Sequence, residues 1–137
     1  MVAKKSSQQI RRVAILTGGG DCPGLNAVIR AIAKTAFQEC DAHVYGITDG
    51  FHGLIHRNSF ELENEDVSGI LTQGGTILGS SNKDNPFSYR MIVDGESRKV
   101  DVSGECAEYI REQGFDVVFC LGGDGTLSIA RKFQSMG

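Results

Sequence analysis

The chain has 137 residues, 40% hydrophobic and 23% charged, enough for one domain with its own core. A net charge of −3 argues against non-specific nucleic-acid binding, and no apolar run approaches the roughly 18 residues of a membrane span. Four cysteines without CxxC spacing, Cys22, Cys40, Cys106 and Cys120, read as reduced, mostly buried thiols of a cytoplasmic protein and not as a zinc site or a disulfide framework.

Residues 1–11 read as a solvated polar tail. Lys4, Lys5, Arg11 and Arg12 flank the polar run Ser6 to Gln9, so the apolar stretch of a signal peptide is missing. Val13 to Thr17 is a short apolar run stopped by glycines, which predicts a buried strand. Pro23 and Gly24 break the chain, and then Leu25, Val28, Ile29, Ile32, Ala33, Ala36 and Phe37 recur at helical spacing. Ala42 to Ile47 is a second strand, Asp49-Gly50 a turn, and Asn58 to Leu62 a small extra strand. Asp66 is placed to N-cap a helix running to about Gln73, ended by Gly74-Gly75, with Thr76 to Leu78 extended. Asp94-Gly95 marks a hairpin or loop tip. Ser103 is placed to cap a helix over 104–113 with Ala107 and Ile110 inward. Asp116 to Leu121 is a third strong strand. Gly122 to Gly125 forms a loop, and Thr126 starts a helix with Leu127, Ala130 and Phe133 near one face.

Strand, glycine loop and helix therefore follow one another at 13–40 and again at 116–136. This alternation predicts an α/β fold: an open, mostly parallel, Rossmann-like sheet with helices on both faces. The last helix runs almost to Gly137, so its apolar face and the sheet edge are expected to want further chain, as in a truncated domain.

In such sheets ligands bind beyond the carboxyl ends of the strands. Both glycine loops fall there, each before a helix N-terminus, where bare N–H groups attract anions. Neither matches GxxxxGK[ST] or GxGxxG, and a purely structural tight turn is the alternative for either loop alone. Asp124 has two readings. Among phosphate-binding amides a carboxylate makes sense if Mg²⁺ lies between it and the phosphate; otherwise its side chain caps the following helix. Asp21 has the same two readings at the first loop.

The segment Gly19-Gly20-Asp21-Cys22-Pro23-Gly24-Leu25-Asn26-Ala27-Val28-Ile29-Arg30 resembles the opening glycine loop and helix of the phosphofructokinases. Asp49-Gly50-Phe51, Gly74 to Ser80 and Gly122 to Thr126 resemble that family's next three motifs, in its order. Lipid kinases and NAD kinases carry a similar GGDGT, but the first motif argues against them. The resemblance implies a 6-phosphofructokinase, transferring a phosphoryl group from ATP to the 1-hydroxyl of fructose 6-phosphate with Mg²⁺. It implies that Gly20 contacts the terminal phosphates and that Gly123, Asp124, Gly125 and Thr126 line the phosphate site, with Asp124 on the metal. Phe51 falls near the family's adenine position or is a core residue.

Glycine at 125 accompanies ATP use in the family. An aspartate there accompanies pyrophosphate use, although the triple glycine at Gly18 to Gly20 looks like a branch with pyrophosphate-dependent members. Asn82, with Lys83 beside it, stands where many members have an arginine reaching the transferring group; lysine supplies charge without the bidentate fork. Arg30 and Lys34 match the basic pair of the bacterial effector site, or are a solvated helix face, while Asn64 replaces that site's remaining basic residue. The catalytic aspartate is expected shortly after Gly137, so these residues alone are expected to be inactive. The completed protein is expected to be a homo-oligomer. The non-enzyme alternative is a nucleotide-phosphate-binding fragment.

Overall fold

A computed structural model describes residues 9–20 and 23–137. Most of the polar tail, Asp21 and Cys22 lie outside the described residues. The first strand, β1 (Arg12–Thr17), occupies an inner position. It pairs in parallel with β2 (His43–Ile47) on one side and β6 (Val117–Leu121) on the other, with Val13 opposite both Val44 and Val117. A short strand β3 (Ser59–Leu62) adds antiparallel to β2, giving the order β3-β2-β1-β6. The sheet is thus open and mostly parallel, as the alternation predicts.

Successive side chains of β1 enter opposite layers, because strand side chains alternate. Val13 and Ile15 join Ile29, Ala33, Val44 and Leu62 under helix α1 (Leu25–Glu39). Ala14 and Leu16 join Phe51, Leu54, Cys106 and Tyr109 on the other face. That second layer is built from α2 (Phe51–Ile55), α4 (Ser103–Gln113) and α5 (Asp124–Ser135). Helices therefore cover both faces. At the other end of β1, Asp116 Oδ2 accepts the Arg11 and Arg12 N–H groups at 2.8 and 2.9 Å, which hold its carboxyl below the usual carboxylate range. Arg11 is thereby anchored and is not part of a free tail.

Several local expectations are corrected. The predicted helix from Asp66 to Gln73 is a single turn, α3 (Asn64–Val67). Glu63 is its cap and Asp66 closes a reciprocal capping box from the third helical position. Thr76 to Leu78 is a turn, closed by Gly79 N–H to the Thr76 carbonyl at 3.3 Å, and not an extended piece. The helix at 103 begins with Ser103 itself. Its N–H and hydroxyl both donate to Asp101 Oδ1, at 2.9 and 2.6 Å. Asp94 and Gly95, at φ 52° and 78°, form the expected tip between β4 (Tyr89–Val93) and β5 (Glu96–Val100).

Among the described residues, Cys40, Cys106 and Cys120 are free thiols. Burial pushes Cys106 and Cys120 up to about 11, which makes them inert at neutral pH. No helix among the described residues is long and apolar enough to cross a membrane.

Candidate nucleotide-phosphate site

Because β1, β2 and β6 run in parallel, their carboxyl ends share one edge of the sheet, and all four glycine-bearing motifs meet there. Gly18 N–H donates to the Leu121 carbonyl at 2.8 Å, tying the first loop to the last strand. Gly19 N–H donates to the Ser81 carbonyl at 3.3 Å, and Asp49 N–H to the Leu78 carbonyl at 2.9 Å. The Thr17 hydroxyl, fully buried, donates to the Gly79 carbonyl at 2.6 Å and meets the Thr76 hydroxyl at 2.9 Å. Asn26, also buried, holds the third motif from α1. Its Nδ2 donates to the Gln73 and Gly74 carbonyls at 3.1 and 3.3 Å, and its Oδ1 accepts Ile77 N–H at 2.8 Å. Segments about 50 residues apart are thus locked into one surface.

Thr126 is the pin between the first and last loops. It is buried and packed so close to Gly122 that a Cβ there would lie 2.5 Å from its Oγ1 and 2.7 Å from the Gly18 carbonyl oxygen. The two loops can approach this closely only because glycine brings no side chain between them. Gly123 and Gly125 are different: a Cβ on either would meet nothing within 4 Å, so they face open space.

That space is a cleft of about 440 Å³. One wall is the α5 N-terminus with Gly123, Gly125, Thr126 and Ser128. The other is the turn after the third motif, Ser81 to Asn85, with Gly19 between. The α5 N-terminus, Lys83 and, farther along α5, Lys132 put helix N–H groups and two lysines on the cleft lining, a combination whose chemistry suits an anion.

The family model for Phosphofructokinase matches residues 12–137. The chain belongs to the phosphofructokinase family. It is 49% identical over 131 residues to ATP-dependent 6-phosphofructokinase 2 of Clostridium perfringens, covering 95% of this chain and 36% of that protein. To ATP-dependent 6-phosphofructokinase 3 of Bacteroides thetaiotaomicron it is 43% identical over 126 residues, covering 92% and 36%. The chain therefore spans about a third of the length of the curated relatives it matches. Among solved structures, Pichia pastoris phosphofructokinase in the T-state superposes with a TM-score of 0.78 at 29% identity, over 93% of this chain and 13% of that one. The pyrophosphate-dependent phosphofructokinase from Marinobacter aquaeolei, at a TM-score of 0.74 and 17% identity over 93% and 30%, is a likeness of fold alone.

In this phosphofructokinase chain the cleft brings together Asn82, Lys83, Gly123, Gly125 and Thr126 from the sequence-derived set. Gly20 and Asp124 do not line it among the described residues; both lie beside residues that do. Asp124 is the first residue of α5, with Gly123 at the cap position and no side-chain cap hydrogen bond. The capping alternative for Asp124 is therefore not what the structure shows. Phe51 is 2% exposed and stacks on Phe133 at 6.3 Å, so it is a core residue whose edge borders the cleft. Lys34 Nζ bonds Asn64 Oδ1 and donates to Ser68 Oγ at 3.2 Å, so this lysine links α1 to α3.

Ser81, Asp84, Ser128 and Lys132 went unmarked in the sequence. Ser128 and Lys132 carried a usable signal: with Gly125 they fall at i, i+3 and i+7 on α5, one helix face. Ser81 and Asp84 carried none, because they enter the cleft through a turn whose course depends on Gly19.

Proposed function

We propose that this chain supplies the nucleotide-phosphate site of a 6-phosphofructokinase, which transfers a phosphoryl group from ATP to the 1-hydroxyl of fructose 6-phosphate. The observation that carries this is the convergence of four glycine-bearing motifs on one cleft at the strand carboxyl ends. Gly123, Gly125 and Thr126 would receive the phosphates, with Gly20 beside them and Asn82 and Lys83 opposite. Asp124 would hold Mg²⁺. The fit is good: its carboxylate is exposed with no partner among the described residues. Mg²⁺ asks a protein for only one or two carboxylates, taking phosphate oxygens and water for the rest. Such a metal would neutralise charge developing on the transferring group.

ATP as donor is supported by the names of the relatives and by Gly125. Pyrophosphate is the alternative donor. Cytoplasmic residence and homo-oligomer assembly belong to the same proposal. The division of labour we propose gives the nucleotide to residues 12–137 and leaves the sugar pocket and the proton-accepting base to the remaining two-thirds of a phosphofructokinase.

This reading predicts that the 137-residue chain binds ATP with Mg²⁺ by calorimetry and does not phosphorylate fructose 6-phosphate in a coupled assay. Turnover above background would refute the division of labour, and absence of ATP binding would refute the site.

The donor preference has its own test. Because a Cβ at Gly125 meets nothing, Gly125→Asp fits the fold, and its melting temperature should stay near that of the wild type. Its carboxylate adds negative charge where the α-phosphate would lie. ATP affinity is expected to fall at least tenfold, with pyrophosphate affected less. Equal losses with both ligands would reduce Gly125 to a backbone-geometry residue.

A further inference from the structure

The wall of the cleft between the third motif and β4 is fixed to the fold at both ends. At its start the Ser81 carbonyl accepts Gly19 N–H from the first loop at 3.3 Å. At its far end the carbonyl of the buried Pro86 accepts Val102 N–H at 2.7 Å, and the Phe87 ring lies 5.0 Å from that of Phe133. Between these two anchors Asn82 and Lys83 stand exposed on the cleft lining.

The crest itself is held by side chains. A tight turn is commonly closed by the carbonyl of its first residue, which accepts the N–H three residues on. Here the Ser81 carbonyl is taken by Gly19, and among the described residues no backbone hydrogen bond closes 81–84. The Ser81 hydroxyl donates instead to Asp84 Oδ2, and its oxygen accepts Lys83 N–H at 3.4 Å. The Asp84 side chain is only 16% exposed; its other oxygen lies 3.5 Å from His52 Nδ1, so the Ser81 hydroxyl is its hydrogen-bond partner among the described residues. A carboxylate on the wall of a cleft suited to an anion opposes the ligand through its charge. Its use at this position is as the acceptor that closes the turn.

We propose that Ser81 and Asp84 are positioning residues for phosphate binding. Their clasp holds Asn82 and Lys83 in place across from the α5 N-terminus before a ligand arrives, so the cost of ordering the turn is met in folding and not in binding. Neither residue needs to touch a phosphate to do this. The inference rests on the nucleotide-phosphate reading and names the residues outside the glycine loops that set the second wall of that site.

Calorimetry of the 137-residue chain with ATP and excess Mg²⁺ tests it. Ser81→Ala leaves the charge of the site unchanged and opens the clasp. Its affinity should fall about tenfold, the cost of re-ordering about one residue of backbone, while its melting temperature stays within a few degrees of the wild type. Asp84→Asn and Asp84→Leu lose the same charge and differ in that only asparagine offers Ser81 an acceptor, so Asp84→Asn should bind about tenfold more tightly than Asp84→Leu. In a chain already carrying Asn82→Ala and Lys83→Ala, adding Ser81→Ala should cost less than about twofold, because the groups it positions are gone. Wild-type affinity in Ser81→Ala, or equal affinities in the two Asp84 variants, would overturn the inference and leave the phosphate site standing. So would a Ser81→Ala loss as large without Asn82 and Lys83 as with them. No ATP binding by the wild type would overturn the site and this inference together.

Discussion

Replacing Gly53 by alanine is expected to destabilise the chain by about 3 kcal/mol, the upper part of the usual overpacking cost. Gly53 lies inside α2, where a Cβ would overlap the Thr48 carbonyl oxygen and come within 2.9 Å of the Thr48 carbonyl carbon and nitrogen. These are backbone atoms, so no rotamer change relieves the overlap. The helix also cannot slide away. Thr48 N–H is held by the Asn58 carbonyl at 3.1 Å and Asn58 N–H by the Gly53 carbonyl at 2.8 Å, so retreat would break both bonds. Alanine's better helix propensity returns at most about 1 kcal/mol. Domains have about 5–15 kcal/mol in total, so the loss should appear as a clearly lowered urea midpoint. An unchanged or raised midpoint would mean that α2 has a second seating on β2, contrary to the packing described.

The second large effect is on binding and leaves the fold alone. Asp124→Asn is expected to remove most of the strengthening of ATP binding by Mg²⁺, at least tenfold in affinity, while melting shifts by only a few degrees. The small stability change follows from position. At the first residue of α5 a carboxylate gains about 0.3–1 kcal/mol from the helix N-terminus, and it makes no capping bond that asparagine would have to replace. The large binding change follows from chemistry, since an amide of the same shape is a far poorer Mg²⁺ ligand than a carboxylate. A Mg²⁺ titration showing equal enhancement in both proteins would take Asp124 out of the site.

What could be read in the sequence was what local patterns encode. Leu25 to Phe37 carry a clean helical period, and α1 runs over Leu25–Glu39. The apolar runs at 13–17 and 116–121 lie within a residue of β1 and β6. The glycine motifs could be ordered along the chain and assigned to a family. Illegible were features that depend on which neighbour wins. Glu63 took the cap that Asp66 was expected to fill, because either acid could start that turn. Leu127, grouped with Ala130 and Phe133 near one face of α5, is 53% exposed, while Thr126 is buried and Ile129 and Phe133 pack against the core. The Ser81–Asn85 wall was invisible for a tertiary reason: it is tied through Ser81 to Gly19, and the turn just before it, through Leu78, to Asp49, both far away in sequence.

The pairing of β1 with β6 joins residues about 100 positions apart, yet the cradle we propose for the phosphates is made from the tips of these two strands. Every other neighbour of β1 is closer along the chain, so this seam carries the greatest loop-closure cost and is the natural last step of assembly. The cradle cannot exist in a half-folded molecule, and Thr126, wedged against Gly18 and Gly122, reports that the seam has closed. A ligand spanning both loops would act as a clasp on that seam. It would hold back opening at the β6 edge first and leave the far side of the sheet, at β3, to breathe as before.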